Sequence, residues 1–166
     1  MLTHLIALGL FTVDDGSTSQ KGNVIATSDR TAVMTIVPAA VARASGLPFG
    51  AAAWAQPYDP GDHAPYAIDF SDLLDEGESI AKIEAIKVSP TAALLGIAID
   101  ESANYRPIID VGGQKVQVWF LIDQAYWEAA QFAAGGVQLP LSVRVLTDGS
   151  PAKRYERTAV LTVRQL

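Results

Sequence analysis

Seven carboxylates stand close together in the sequence: Asp59, Asp62, Asp69, Asp72, Asp75, Glu76 and Glu78. Oxygen ligands at that density suit Ca2+. The spacing, however, contains no D-x-D-x-D-G series of the kind an EF-hand loop requires, so the acidic run reads as a solvated turn, with Asp69 as a candidate turn cap. Zinc would have to recruit both histidines, His4 and His63, together with carboxylates, because the chain has no cysteine. His63 lies in a Pro-Gly loop and is expected to be exposed. A hydrolase triad would need one of the same two histidines as its base. Neither a G-x-S-x-G elbow nor a G-x-x-x-x-G-K-S/T loop is present. A two-carboxylate glycosidase fits on residue types, but Asp and Glu are too common for that to single out a pair. The expectation is a chain with no catalytic residue, no metal site and no cofactor.

Aromatic side chains offer a different chemistry, that of protein contact. Trp119 sits in a β-rich run and is expected in a core. Tyr126, Trp127 and Phe132 lie together further on; they either pack on their own sheet or face a neighbouring subunit. Trp54, with Phe49 before it, stands in the small-residue stretch LPFGAAAWA. Phe49, Trp54, Tyr126, Trp127 and Phe132 are therefore the candidate partner-binding residues.

The totals limit the partners. Of 166 residues, 49% are hydrophobic and 18% charged, which is enough apolar material for a core and too much for a disordered chain. Net charge is −6, and the only basic cluster is Lys153-Arg154 near Arg157. Phosphate contacts need a basic face, so nucleic acid is not an expected partner. Residues 1–13 are apolar but lack the positive start and the cleavage site of a signal peptide. No run approaches the ~18 apolar residues of a membrane span. The chain is expected to be soluble, with no targeting signal and no membrane partner.

The elements that would position these residues are mostly strands. Residues 31–37 are β-branched, and Asp29-Arg30 fits a bend before them. Pro38 and Gly46 bracket a short helix. The prolines of residues 56–65 mark a boundary. Residues 66–70 alternate as a strand, Ser71 can start one helical turn, and Gly77 ends it. Ile80, Ile83 and Ile86 recur every three residues, which suits a helix; β-branched content and Ser89-Pro90 favour a strand with a bulge over residues 80–88. Residues 94–100 read as a strand. Gly112-Gly113 joins residues 107–111 to 115–122 as a hairpin whose second strand is central. Residues 123–134 read as a helix capped by Asp123 and stopped by Gly135-Gly136. Residues 140–146 and 155–163 are the last strands, with a turn at 148–151. Strands joined mainly by turns spell an antiparallel sandwich.

From Tyr66 onward the chain resembles a family of small phage virion domains, described as fiber-tail adaptor or virion structural proteins. The matching residues are Tyr66, Asp69, Phe70, Leu74, Gly77, Glu78 and Ile80, then Val88 and Pro90. A tryptophan strand follows with Val116, Val118, Trp119, Phe120 and Leu121, and the end matches at Thr147, Asp148, Gly149, Glu156, Arg157 and Val163. The resemblance spans roughly residues 58–166. The chain departs from it in two places: a longer segment, residues 122–138, replaces a short glycine turn, and about sixty residues precede the domain. The resemblance implies an Ig-like β-sandwich in a phage particle.

Together these readings give a mainly β chain, with an Ig-like antiparallel sandwich at 58–166, a short inserted helix and an N-terminal arm at 1–57 that docks onto other virion proteins. The expected protein is a non-enzymatic fiber or tail adaptor, present in symmetric multiple copies in the virion and assembled in the host cytoplasm. A capsid decoration (cement) protein and a host-surface or glycan-binding module are the alternatives, and a small enzyme fits least.

Overall fold

The structure is a computed structural model that describes residues 11–12, 19–36 and 50–166. Phe49, the turn at 14–17 and the helix expected at 38–46 lie outside the described residues. Strands β1 (Phe11–Thr12), β2 (Lys21–Gly22), β3 (Thr31–Val33) and β4 (Ala52–Ala53) come first. They precede β5 (Pro65–Asp69), β6 (Ile80–Val88), β7 (Ile97–Ile99), β8 (Ile108–Asp110), β9 (Lys115–Ile122), β10 (Val137–Thr147) and β11 (Arg154–Val163). One short α-helix, α1 (Pro90–Leu94), lies between β6 and β7. One sheet runs β1-β6-β10-β11-β4; the other runs β2-β8-β9-β5-β3, with β7 also on β9. The two sheets share one hydrophobic core, as a β-sandwich does.

Alternation builds that core. A strand turns successive side chains to opposite faces, and the buried sets are Tyr66 and Ile68 on β5, Val116, Val118, Phe120 and Ile122 on β9, Leu139, Leu141, Val143 and Val145 on β10, and Ala159, Leu161 and Val163 on β11. The three-residue spacing in β6 has a geometric cause. β10 pairs Arg144 with Ala85 and Val145 with Ile83, then Leu146 with Lys82 and Thr147 with Ile80, so Glu84 and Ala81 each have no opposite residue in the β10 ladder. Each bulge adds one residue to the two-residue period, and Ile80, Ile83 and Ile86 all reach the core.

Three features differ from the sequence reading. The ladders among β5 to β11 are antiparallel, but β2, β3 and β4 join β8, β5 and β11 in parallel. Parallel neighbours cannot come from hairpins; these three arrive from upstream chain running across the body. The inserted helix expected at 123–134 is instead two 3-10 turns, Gln124–Tyr126 and Ala130–Phe132. Ala129 between them is extended (φ −61°, ψ 134°), and this break lets Phe132 turn into the core. The helix that does form, α1, begins where a strand was expected to end. Ser89 caps it by accepting from the Ala92 amide at 3.2 Å, and Pro90 occupies the first turn.

Candidate docking surfaces

The acidic turn closes one end of the sandwich by internal bonding. Gly77, at φ +78°, turns the chain so that Glu78 points back over it. Glu78 accepts from the Asp75 amide (2.9 Å), the Thr147 hydroxyl (2.6 Å) and Lys153 Nζ (3.1 Å). The Asp75 amide, then Thr147 and Lys153, hold its carboxyl below the usual range. Asp148 accepts from the Ser79 hydroxyl and amide at 2.5 and 2.7 Å, and its carboxyl is lowered by those two bonds. The Ile80 amide donates to the Gly113 carbonyl at 2.6 Å. Residues from the two ends of the resemblance, Gly77-Glu78 and Thr147-Asp148-Gly149, thus meet in one corner. Asp69 caps the turn after β5, accepting from the Ser71 amide at 2.9 Å, as its alternative reading had it. Among the described residues no group of three or more His, Asp or Glu side chains is gathered as metal ligands would be.

His63 is exposed, as its loop suggested, but it is not without contacts. Its Nε2 lies 3.0 Å from Asp100 Oδ2, and its side chain is about a third exposed. Burial pushes the Asp100 carboxyl up, but hydrogen bonds from Ser102 and His63 outweigh it and hold the group below its ordinary range. The His63 ring packs on Tyr105 (4.4 Å between centroids) and Trp119 (5.0 Å), which touch each other at 4.8 Å. Trp119 therefore lies half-buried on the outer face of its sheet, not in the core where it was expected. Its neighbours Val118 and Phe120 point inward, and alternation sends Trp119 out.

The candidate contact residues separate into two groups. Trp54 is 3% exposed and Phe132 is fully buried. The Trp54 indole donates to the Ala67 carbonyl at 2.7 Å and meets Tyr66 and Phe120 edge to face. Tyr58 completes that cluster: its hydroxyl donates to the Phe120 carbonyl at 2.8 Å, and burial pushes the phenol well above its usual range. Tyr126 and Trp127 remain 38% and 37% exposed. Tyr126 lies on the backbone of Gly96, where a Cβ would come within 2.5 Å of its ring. Trp127 is pinned by its indole to the Ile122 carbonyl at 3.0 Å. Leu121 is exposed and paired across the ladder with exposed Ala98, and Leu94 is exposed at the end of α1. The sequence reading did not single out Leu94 or Leu121, although the outward position of Leu121 follows from the alternation of β9. By contrast, the outer face of the other sheet is laced with Arg144–Glu156 and Arg154–Glu84 pairs.

The described residues thus form a β-sandwich whose acidic corner is tied up in its own hydrogen bonds and whose Tyr126, Trp127, Leu121 and Leu94 side chains are exposed. The chain matches the family described as podophage GP4 fiber-tail adaptor protein gp77 over residues 59–165, more than half its length. The chain belongs to that family of structural phage proteins. No curated protein and no solved structure matches it.

Proposed function

We propose that the protein is a non-enzymatic adaptor of the virion that joins tail and fiber components, in several symmetric copies, without nucleic acid or membrane as partner. The observation that carries this reading, beside family membership, is the open apolar surface of Tyr126, Trp127, Leu121 and Leu94. Large exposed aromatic groups are enriched at protein contacts, and two of these four lie in the segment that is longer than the family pattern. Its partner is an apolar surface of another structural protein of the particle. Residues 1–57 supply a second docking element, through strand addition and apolar burial.

The test is incorporation into particles. A Tyr126→Ala/Trp127→Ala variant still melts cooperatively, only a few degrees below wild type, and is lost from purified virions. Full incorporation of a folded double variant overturns the reading. A copy number matching the capsid lattice instead of the tail would make the chain a decoration protein, and binding of isolated protein to host cells would make it a receptor-binding module.

A further inference from the structure

The family match begins at residue 59, and the four strands before it share a placement. Each occupies a different edge of the body formed by β5 to β11: β1 on β6, β2 on β8, β3 on β5 and β4 on β11. Between β2 and β3 the chain crosses the outer face of the second sheet, where the amides of Ile25 and Ala26 donate to Gln117 Oε1 at 2.7 and 3.1 Å. An open edge is a row of unpaired N–H and C=O groups that will take another strand. The upstream segment is thus a strap that pairs with part of the β6, β8, β5 and β11 edges of the body. Its hold is specific at β3, where Ala32 and Met34 are buried and the Met34 amide donates to the Asp69 carbonyl at 2.8 Å. β3 and β4 are close neighbours on one flank, yet residues 34–51 join them. Fully extended, those residues reach roughly 60 Å, whereas the two packed sheets are only ~10 Å apart.

We propose that the strap is an exchange element: β1, β2 and β3 leave their own body and lie on the β6, β8 and β5 edges of a second copy of this chain. The second copy is the fitting acceptor because it alone offers the same three edges together with the pockets for Ala32 and Met34. Every bond broken within one copy re-forms between two, which makes exchange a low-cost route to assembly. The surplus chain between β3 and β4 supplies the reach. This names the partner of the docking role given to residues 1–57 and rests on that reading.

Engineered disulfides in purified full-length protein test it, since the natural chain has no cysteine. Thr31 and Ala67 are register partners in the β3–β5 ladder, and paired strands ~4.8 Å apart are within disulfide reach. Thr31→Cys and Ala67→Cys chains are produced together and oxidised. The expected product is a covalent dimer joining one variant to the other, absent when either is made singly. The Thr31→Cys/Ala67→Cys double variant, oxidised while dilute, closes within one chain, stays monomeric by light scattering and regains assembly on reduction. The exchange is overturned if the mixed chains give no such dimer, or if the internally closed double variant assembles as the reduced one does. Either result leaves docking to other virion proteins standing, because incorporation into particles judges that separately.

Discussion

Glu78 is held from three directions, by a backbone amide, a hydroxyl and an ammonium group. Because its folded-state pKa is depressed, its contribution to stability is present above the ordinary glutamate range and is lost as pH falls through the lower folded value. Asp148 acts in the same direction. The melting temperature of wild type should therefore exceed that of Glu78→Gln at neutral pH, and the two should converge in acid; thermal melts across that range check it. Gly149 belongs to the same corner. A Cβ there would stand 2.6 Å from Glu78 Oε1, and that carboxylate is too well bonded to move freely. Gly149→Ala should cost about 1–3 kcal/mol, within the ordinary span for a disturbed bonded site, and less in a Glu78→Ala background, as a double-mutant cycle would show. At this scale the sequence was partly legible. Asp69 as a cap could be read from its place before Ser71; Trp119 was expected in the core, although its alternation with Val118 and Phe120 places it on the outer face. That Asp100 would meet His63, or Ser79 meet Asp148, rests on contacts between distant loops that no local pattern encodes.

Elements were legible where one period ruled and obscure where two signals competed. β10 alternates strictly over its buried positions, and β9 does so over its apolar ones, with Gln117 buried between them under the Ile25 and Ala26 amides; both strands lie about where the pattern puts them. β6 carries a helical spacing that its two bulges explain, and only β-branched content argued for the strand. Ser89-Pro90 is both a strand ending and a helix cap with its N1 proline, and the structure uses it as both: β6 stops at Val88, as expected, and α1 starts at Pro90. The segment after Ile122 has the composition of a helix but is bent into two turns by the burial of one side chain, Phe132, whose carbonyl also accepts from the Gln165 amide at 2.8 Å. Local propensity yields here to tertiary packing. Phe132→Ala should accordingly cost about 3–5 kcal/mol, the range for emptying a buried aromatic site. Trp127→Ala should stay nearer to about 1 kcal/mol, since that ring is partly open and contributes mainly its single indole bond. Denaturant melts of the two variants separate the inward and outward sides of the insert.

Over the whole molecule, the distinction between arm and body becomes a question of which residues the body needs. The prolines of residues 56–65 read in composition as a boundary, and the family match begins among them, at residue 59. Yet Trp54 and Tyr58 lie in the same aromatic cluster as Tyr66 and Phe120, and Met34 is fully buried. Apolar strength alone could not reveal this: Ala52, Ala53 and Gly22 carry almost no pattern, and their strands are defined by the edges they meet. Removing residues 1–58 would take three large side chains from the core and uncover the β5, β6, β8 and β11 edges together. Open edges recruit further chains, and each lost buried aromatic alone costs about 3–5 kcal/mol, a large part of the roughly 5–15 kcal/mol that holds a domain. The segment 59–166 made by itself should therefore aggregate rather than fold to a monomer, as light scattering and thermal melting would report. Supplying residues 1–58 as a separate chain during refolding should recover soluble material, because the edges and pockets that bind them are already specified by the body. A soluble, cooperatively melting monomer of 59–166 would show instead that the strap is dispensable for the fold and serves assembly only.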